Sequence, residues 1–370
     1  VEQVEVLRGP QGTRYGANAL AGLINVKTND PEDELAASLK LGAAQFNTET
    51  LQAMVTGPLS DSVSGRLAVG RHQSDGYYEN AFLGTKRNNA QDELSVRSKL
   101  RAEMSESWTV DFSLSHVDID NGYDAFTLDN SRTTLSDEPG RDKQSSVAFA
   151  VDSTWELARF DLELIAGFAD SDMEYSYDED WTFAGIHPDG YSSTDSYIRN
   201  RETQSLELRF ISNDSSRLFD DSTQWLFGLY TLSSDEALKR EYTFAAADFF
   251  SDFGFDTAAL FFQLDTELSD RLTLETGLRV ERRETTYTDS EQLAFTPDET
   301  LWGGRVAAKY RINDATLTYA SIARGYKAGG FNTDGTLDAD LRQFDQEFLI
   351  EYELGVKSRL LEDRLHLKAA

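Results

Sequence analysis

From about residue 35 onward the chain alternates apolar and polar residues position by position. In RLTLETGLRVER, Leu272, Leu274, Thr276, Leu278 and Val280 share one face, and Thr273, Glu275, Gly277, Arg279 and Glu281 share the other. Leu94, Val96, Ser98 and Leu100 oppose Ser95, Arg97, Lys99 and Arg101, and Trp108, Val110, Phe112 and Leu114 oppose Thr109, Asp111, Ser113 and Ser115. A period of two marks strands with one apolar and one polar face. Runs and turn signals place roughly 15 strands, at about 35–44, 47–57, 62–73, 89–103, 107–119, 144–156, 159–174, 199–213, 222–236, 256–267, 271–287, 300–311, 315–326, 346–359 and 363–370. Many exceed ten residues. Strands of globular proteins cluster near five or six residues, whereas a bilayer core asks for about 9–11.

The connections sharpen this pattern. Short turns at 57–62, 104–107, 156–159, 267–270, 311–314 and 360–363 are interleaved with long polar segments at about 74–88, 120–143, 175–198, 237–255, 288–299 and 327–345. An up-and-down antiparallel barrel with tight turns at one end and long loops at the other produces such an alternation; a Greek-key sandwich does not. The polar faces carry Arg97, Lys99, Arg101, Glu207, Arg209, Glu275, Arg279, Glu281 and Glu353. These charges suit the wall of a wide, wet lumen, and barrels of more than about 20 strands need a plug. The expected fold class is all-β: a transmembrane antiparallel up-and-down β-barrel.

Composition then narrows the function. With 35 Lys+Arg against 65 Asp+Glu, the net charge is -30, which argues against nucleic acid as a partner because phosphate binding needs a basic surface. The absence of cysteine excludes disulfides, zinc–thiolate sites and a Cys nucleophile. No apolar run reaches the ~18 residues of a membrane-spanning helix, a criterion that does not bear on barrels. The 15 Tyr, 22 Phe and 5 Trp suit interfacial girdles. About 15 strands with two free edges would leave unpaired amides in hydrocarbon, so the chain reads as a piece of a longer polypeptide, truncated at its C-terminus.

The opening, VEQVEVLRGPQGTRYGANALAGLINVKTNDP, has a different texture. Val4, Val6 and Leu7 form a strand that Gly9-Pro10 stops, since Pro lacks the donor a central strand needs. Gly12, Gly16 and Gly22 surround a tight turn, and Leu23, Ile24 and Val26 restart a strand. GPQGTRYG lacks the Gly-Lys-Ser/Thr ending of a phosphate loop and leads into a strand rather than a helix, so nucleotide binding is not expected. The run VEVLRGPQGTRYGANALAGLINVKT resembles the C-terminal part of the plug domain of TonB-dependent outer-membrane receptors. The residues carrying the likeness are Glu5, Arg8, Gly9, Pro10, Tyr15, Gly16, Asn18, Gly22 and Asn25. A second block, ARGYKAGGFN, is similar to a segment that ends a late barrel strand in receptors of this family; it contains Arg324, Gly325, Tyr326, Lys327, Gly329, Gly330, Phe331 and Asn332.

The resemblance implies a barrel of about 22 strands in the outer membrane of a Gram-negative bacterium, with residues 1–33 ending the plug and 34–370 forming a partial barrel. It implies no enzyme and no cofactor, but import of a scarce solute energised by the TonB–ExbB–ExbD complex, whose contact box would lie upstream. A ferric siderophore is the expected solute. Cobalamin, an oligosaccharide or another organic compound, and a passive porin-like channel, are the alternatives.

Glu5 and Arg8 are either ion-pairing groups between plug and wall or ordinary polar positions beside a turn. Trp181, His187 and Tyr191, in a long acidic and aromatic loop, are ligand candidates, as are the lumen cations Arg97 and Arg279, which otherwise balance lumen carboxylates. DIDNGYDAFTLD (118–129) resembles a calcium loop, but Gly122 comes one position early and Asp129 stands where Glu is needed. It is expected to be a solvated acidic loop that bridges divalent ions with lipopolysaccharide or gathers ligand. The four histidines show no metal-ligand spacing, so no metal site is expected.

Overall fold

The computed structural model describes residues 1–123, 126–186 and 190–370. From Ala36–Ala44 to Leu365–Ala369, fifteen strands pair in chain order, each antiparallel to the next, and a two-residue strand, Ala294–Phe295, pairs at the side of Leu272–Asp289. The expected number of wall strands and the meander topology are both realised. The first and last wall strands do not pair with each other, so the sheet is an open, curved wall.

Expected and observed connections differ in one systematic way. Strands Thr223–Tyr242 and Phe249–Ser269 run to 20 and 21 residues, so the loop expected at 237–255 shrinks to 243–248. The loops at 175–198 and 288–299 contract to 179–193 and 290–297 in the same way. On the short-turn side, 213–222 is longer than a tight turn.

The cause is visible on the two faces. Near the short turns the outward positions are apolar: Leu260 and Phe262 beside Val280 and Leu278. Farther along, Asp252 and Asp256 are exposed on the outside, while Phe253 and Phe255 turn inward. Leu238, only 3% exposed, likewise faces in between outward Ala237 and Lys239. The strands therefore continue beyond the bilayer, where apolar residues line the interior and polar residues meet water. The ladder continues, but its polarity is reversed.

The first 33 residues stand apart from the wall. Gln3–Arg8 and Gly22–Lys27 form their own two-stranded sheet, joined through a helical turn at Gly12–Tyr15. That turn packs on the wall strands Leu272–Asp289, Asp298–Asn313 and Thr316–Lys327.

Candidate functional site

The two sequence blocks singled out above, some 300 residues apart, touch. Gly9 (φ 74°), Gly16 (φ 76°) and Asn18 (φ 73°) adopt the left-handed conformation that the turn requires. Gly9 N–H donates to Ala21 O at 3.0 Å and Gln11 N–H to Ala19 O at 2.9 Å, closing the loop on itself. Asn18 N–H then donates to Tyr326 O at 3.1 Å. Pro10 sits on Gly325, where a β-carbon would come within 2.8 Å of the proline ring, and Gly12 lies against the Tyr326 ring. Glycines on both sides allow this close approach.

Beneath the turn is a buried polar triad. Arg279 Nε donates to Glu281 Oε2 at 3.0 Å, and Tyr326 Oη donates to the same oxygen at 3.1 Å. The Arg279 guanidinium lies 4.8 Å from the Tyr230 ring centre and 5.4 Å from that of Phe261, directly under Gly16. Arg279 is 2% exposed; this cation, a ligand candidate or a balance for lumen carboxylates in the sequence, is part of this joint and binds Glu281. Leu301, Tyr326, Ala328 and Ala17 form the apolar side of the contact.

Other residues of the opening block act locally. Asn25 Nδ2 donates to Glu5 Oε2 at 3.0 Å across the hairpin. Glu5 thus serves the hairpin itself and not an ion pair with the wall, and Arg8 is exposed and joins no ion pair among the described residues. Gly22 lies against the Leu7 carbonyl, and Tyr15 is 38% exposed.

The linker that follows is clamped by charge. Asp30 pairs with Lys99, and with Arg101 at 3.0 Å; Glu32 pairs with Arg66 at 3.1 Å. Partial burial pushes the Asp30 carboxyl up, but the Lys99 and Arg101 cations outweigh it and hold the group below the ordinary aspartate value. Arg101 also pairs with Asp111 at 2.7 Å. Lumen cations balancing lumen carboxylates is what the plainer sequence reading expected. Arg97 is different. It lines a cavity of about 720 Å³ together with Lys40, Arg66 and Lys99, and no carboxylate side chain contributes to that lining.

The rest of the second block organises the mouth. Gly329 N–H donates to Glu299 at 3.1 Å, Gly330–Phe331 pairs with Gln343–Phe344, and Lys327 lies over the Phe344 ring. Phe331 stacks on Tyr287 with ring centres 4.9 Å apart, and Asn332 N–H donates to Arg342 O at 2.7 Å. Arg342, 2% exposed, binds Asp289 at 2.5 Å, Glu291 at 2.6 Å and the Leu337 carbonyl at 3.0 Å. Burial opposes its charge, yet these carboxylates raise its pKa above the ordinary arginine value. The loop 328–346 is thereby fixed against the inner face of the strand extensions.

Beside it a second cavity, of about 450 Å³, is lined by Phe126, Tyr175, Tyr177, Trp181, Tyr197, Arg199 and Asp334. Trp181 stacks on Phe126 at 5.1 Å. Tyr197 and Tyr177 both donate to Asp195 Oδ2, at 2.9 and 3.3 Å, and Arg240 binds that carboxylate through two nitrogens, at 2.8 and 2.7 Å. Arg199 reaches Glu236 at only 3.6 Å, so its guanidinium is the loosely held cation of the group. Among the sequence candidates, Trp181 is in this cavity; Tyr191 packs edge-on against Phe244 outside it; His187 lies outside the described residues. The expected acidic loop at 118–129 includes Asp124 and Ala125, also outside them. Tyr197 was missed because it reads as the end of the long loop 175–198 and Arg199 because it reads as the start of an ordinary strand, whereas Tyr175 and Tyr177 lie in the same acidic and aromatic loop as Trp181. Asp137, Asp178 and Asp180 bring carboxylate oxygens within 4.8 Å of one another. Donors from Ser192, Trp181, Ser193 and Thr182 tie them into the loops.

Comparison with known proteins agrees with this geometry. Over 376 aligned residues the chain is 27% identical to the pesticin receptor of Yersinia pestis, covering 96% of this chain and 54% of that one. A vitamin B12 transporter, BtuB, of Vibrio vulnificus is 28% identical over 113 residues, 30% of this chain and 18% of its own. Among solved structures, the ferric yersiniabactin uptake receptor FyuA of Yersinia pestis superposes with a TM-score of 0.83 at 22% identity, over 96% of this chain and 57% of that one. The siderophore receptor PiuA of Acinetobacter baumannii gives 0.79 at 15% identity, over 100% and 61%. At these identities the superpositions establish the fold. The chain spans about half the length of the full-length relatives it matches. The family model for the TonB dependent receptor-like β-barrel matches residues 44–370, nearly the whole wall, so this outer-membrane chain belongs to the TonB-dependent receptor family.

Proposed function

We propose that the protein imports a ferric siderophore through the outer membrane, with energy from the TonB–ExbB–ExbD complex. Residues 1–33 would be the end of a plug seated on the partial barrel 34–370. The observation that carries the reading is the mouth cavity. Phe126, Tyr175, Tyr177, Trp181 and Tyr197 line the cavity together with the loosely held Arg199, a combination that suits an anionic chelate with an aromatic or apolar rim. Inward from the mouth, Lys40 and Arg97 line a cavity to which no carboxylate side chain contributes, Arg66 and Lys99 beside them being paired with Glu32 and Asp30; the two would favour passage of the same negative charge, against an overall charge of -30. The siderophore receptors among the structural neighbours support this assignment, and a receptor is not an enzyme.

The test is tryptophan fluorescence titration of the native protein with a panel of ferric chelates and with cobalamin. A saturable response to at least one anionic ferric chelate, lost in Trp181→Ala and weakened in Arg199→Gln, is expected. Binding of cobalamin alone, or of no chelate, refutes the siderophore assignment. The joint described above also argues against a passive pore, because an open channel has no use for a segment sealed onto its inner wall.

A further inference from the structure

Arg324 belongs to the second sequence block, yet it contributes neither to the joint nor to the mouth. Ile322, 52% exposed, and Arg324 point outward, whereas Tyr326, of the same parity, turns inward after Gly325. In register, Arg324 lies between Gly304 and Ile350, in the row of the apolar outward residues Leu278 and Phe262. A cation there faces the membrane, where an arginine is costly at mid-depth and much less so near the interface.

The side chain escapes toward the long-loop end. Its guanidinium carbon lies 4.1 Å from the centre of the Trp302 ring and 4.7 Å from that of Phe348, and Nη1 donates to the Trp302 carbonyl. Trp302 and Phe348 are 47% and 62% exposed. Trp302 is the last apolar outward residue of its strand before Thr300 and Asp298, the position of an interfacial aromatic. Two residues beyond Val280, the register partner of Trp302, outward Arg282 is neutralised by Glu284 at 3.2 Å and Asp298 at 3.3 Å. Arg324 joins no ion pair among the described residues. The fork is held in place by two rings, and most of its five donors remain open at the interface.

We propose that Trp302, Arg324 and Phe348 form a docking site for a phosphate-bearing lipid headgroup of the outer leaflet. The planar fork matches phosphate in a two-point contact, the flanking rings cover the adjoining sugar or glycerol and upper acyl carbons, and the lipid supplies the missing negative charge. A free phosphate would gain nothing from the two exposed rings, so the occupant is a lipid. The proposal rests on the membrane placement of the wall and is independent of what the mouth binds.

Native mass spectrometry of the protein extracted from outer membranes, with added diphosphoryl lipid A, dephosphorylated lipid A or inorganic phosphate, tests it. Wild-type protein is expected to retain the phosphorylated lipid about tenfold more than Arg324→Gln, with dephosphorylated lipid held equally by both. Arg324→Lys, which keeps the charge but not the fork, is expected to fall between them. Heat-modifiable gel mobility reports folding of each variant, and the Lys variant carries the comparison if the Gln variant does not fold. Equal retention by wild type and the folded variants overturns the proposal, as does equal retention of both lipids. Competition by millimolar inorganic phosphate as effective as lipid also overturns it.

Discussion

Tyr326→Phe isolates one hydrogen bond of the joint without changing its shape. Tyr326 is 1% exposed, its hydroxyl donates to Glu281 Oε2, and its ring fills the space over Gly12 and Gly303. The variant keeps the ring and leaves Glu281 with Arg279 alone. A hydrogen bond to a charged, buried acceptor contributes about 1.5–3 kcal/mol. Both partners belong to the wall, so the bond acts on the joint by keeping Tyr326 turned in, where its carbonyl accepts from Asn18. At ~1.4 kcal/mol per decade, opening that begins with release of Tyr326 should become up to ten- to hundredfold more frequent. Its reporters are the amides of Gly9, Gln11 and Asn18, whose partners are Ala21, Ala19 and Tyr326. Hydrogen exchange in detergent micelles, read on peptides covering residues 9–22, should accelerate by that factor while the wall strands stay unchanged. Exchange within about twofold of wild type would show that Tyr326 does not hold the segment and would refute the argument that the triad closes the joint.

Other outcomes follow from the same geometry. Gly16→Ala forces a side chain into φ 76° and toward the Arg279 guanidinium, 2.9 Å from the added carbon; about 1–2 kcal/mol of backbone strain should loosen the same peptides. Arg342→Gln leaves Asp289 buried without its cation, a change costing about 3–5 kcal/mol, and limited proteolysis should then cut within 328–346. The clamp at Asp30 should depend on pH. Its folded pKa is depressed, so its contribution is complete above the unfolded value near 3.9 and is lost as pH falls through the folded one. Exchange of the linker at 28–34 should rise in that acid window, and Asp30→Asn should show the raised rate at neutral pH with the acid-dependent step abolished.

The parts of this architecture that were readable in the sequence are those governed by local periodicity. Leu272 to Glu281 alternate because bilayer and lumen impose opposite chemistry on neighbouring positions, and the register confirms the split. The reading faltered where one of those solvents changes. Beyond the bilayer Asp252 and Asp256 sit outside while Phe253 and Phe255 turn in, alternation no longer separates strand from loop, and the strands expected at 222–236 and 256–267 run over Thr223–Tyr242 and Phe249–Ser269. Tyr326 shows a second limit. Parity assigns it to the membrane side with Ile322 and Arg324, yet it is buried against Gly12 and Gly303, beside the contact of Pro10 with Gly325. The pairing of residues 9–18 with 325–326, and of Tyr175 with Tyr197 and Arg199, is tertiary information that no local window contains.

What the joint is made of bears on how it could open. A segment meant to stay in place would bury an apolar face, and separating it would expose hydrocarbon to water at about 25 cal/mol per Å². Here the contact with the wall runs through glycines, one proline, one tyrosine ring, Ala17 beside Leu301 and Ala328, and a charged pair. Arg279 and Glu281 belong to the same wall strand, so withdrawing the turn leaves their ion pair intact and lets water reach it. Desolvation of that pair, unfavourable while the joint is closed, is relieved on opening and offsets part of the lost ring contact and hydrogen bonds. A pull along the hairpin therefore works against the Asn18–Tyr326 hydrogen bond and the ring contacts of the turn, and the wall it leaves behind is already polar.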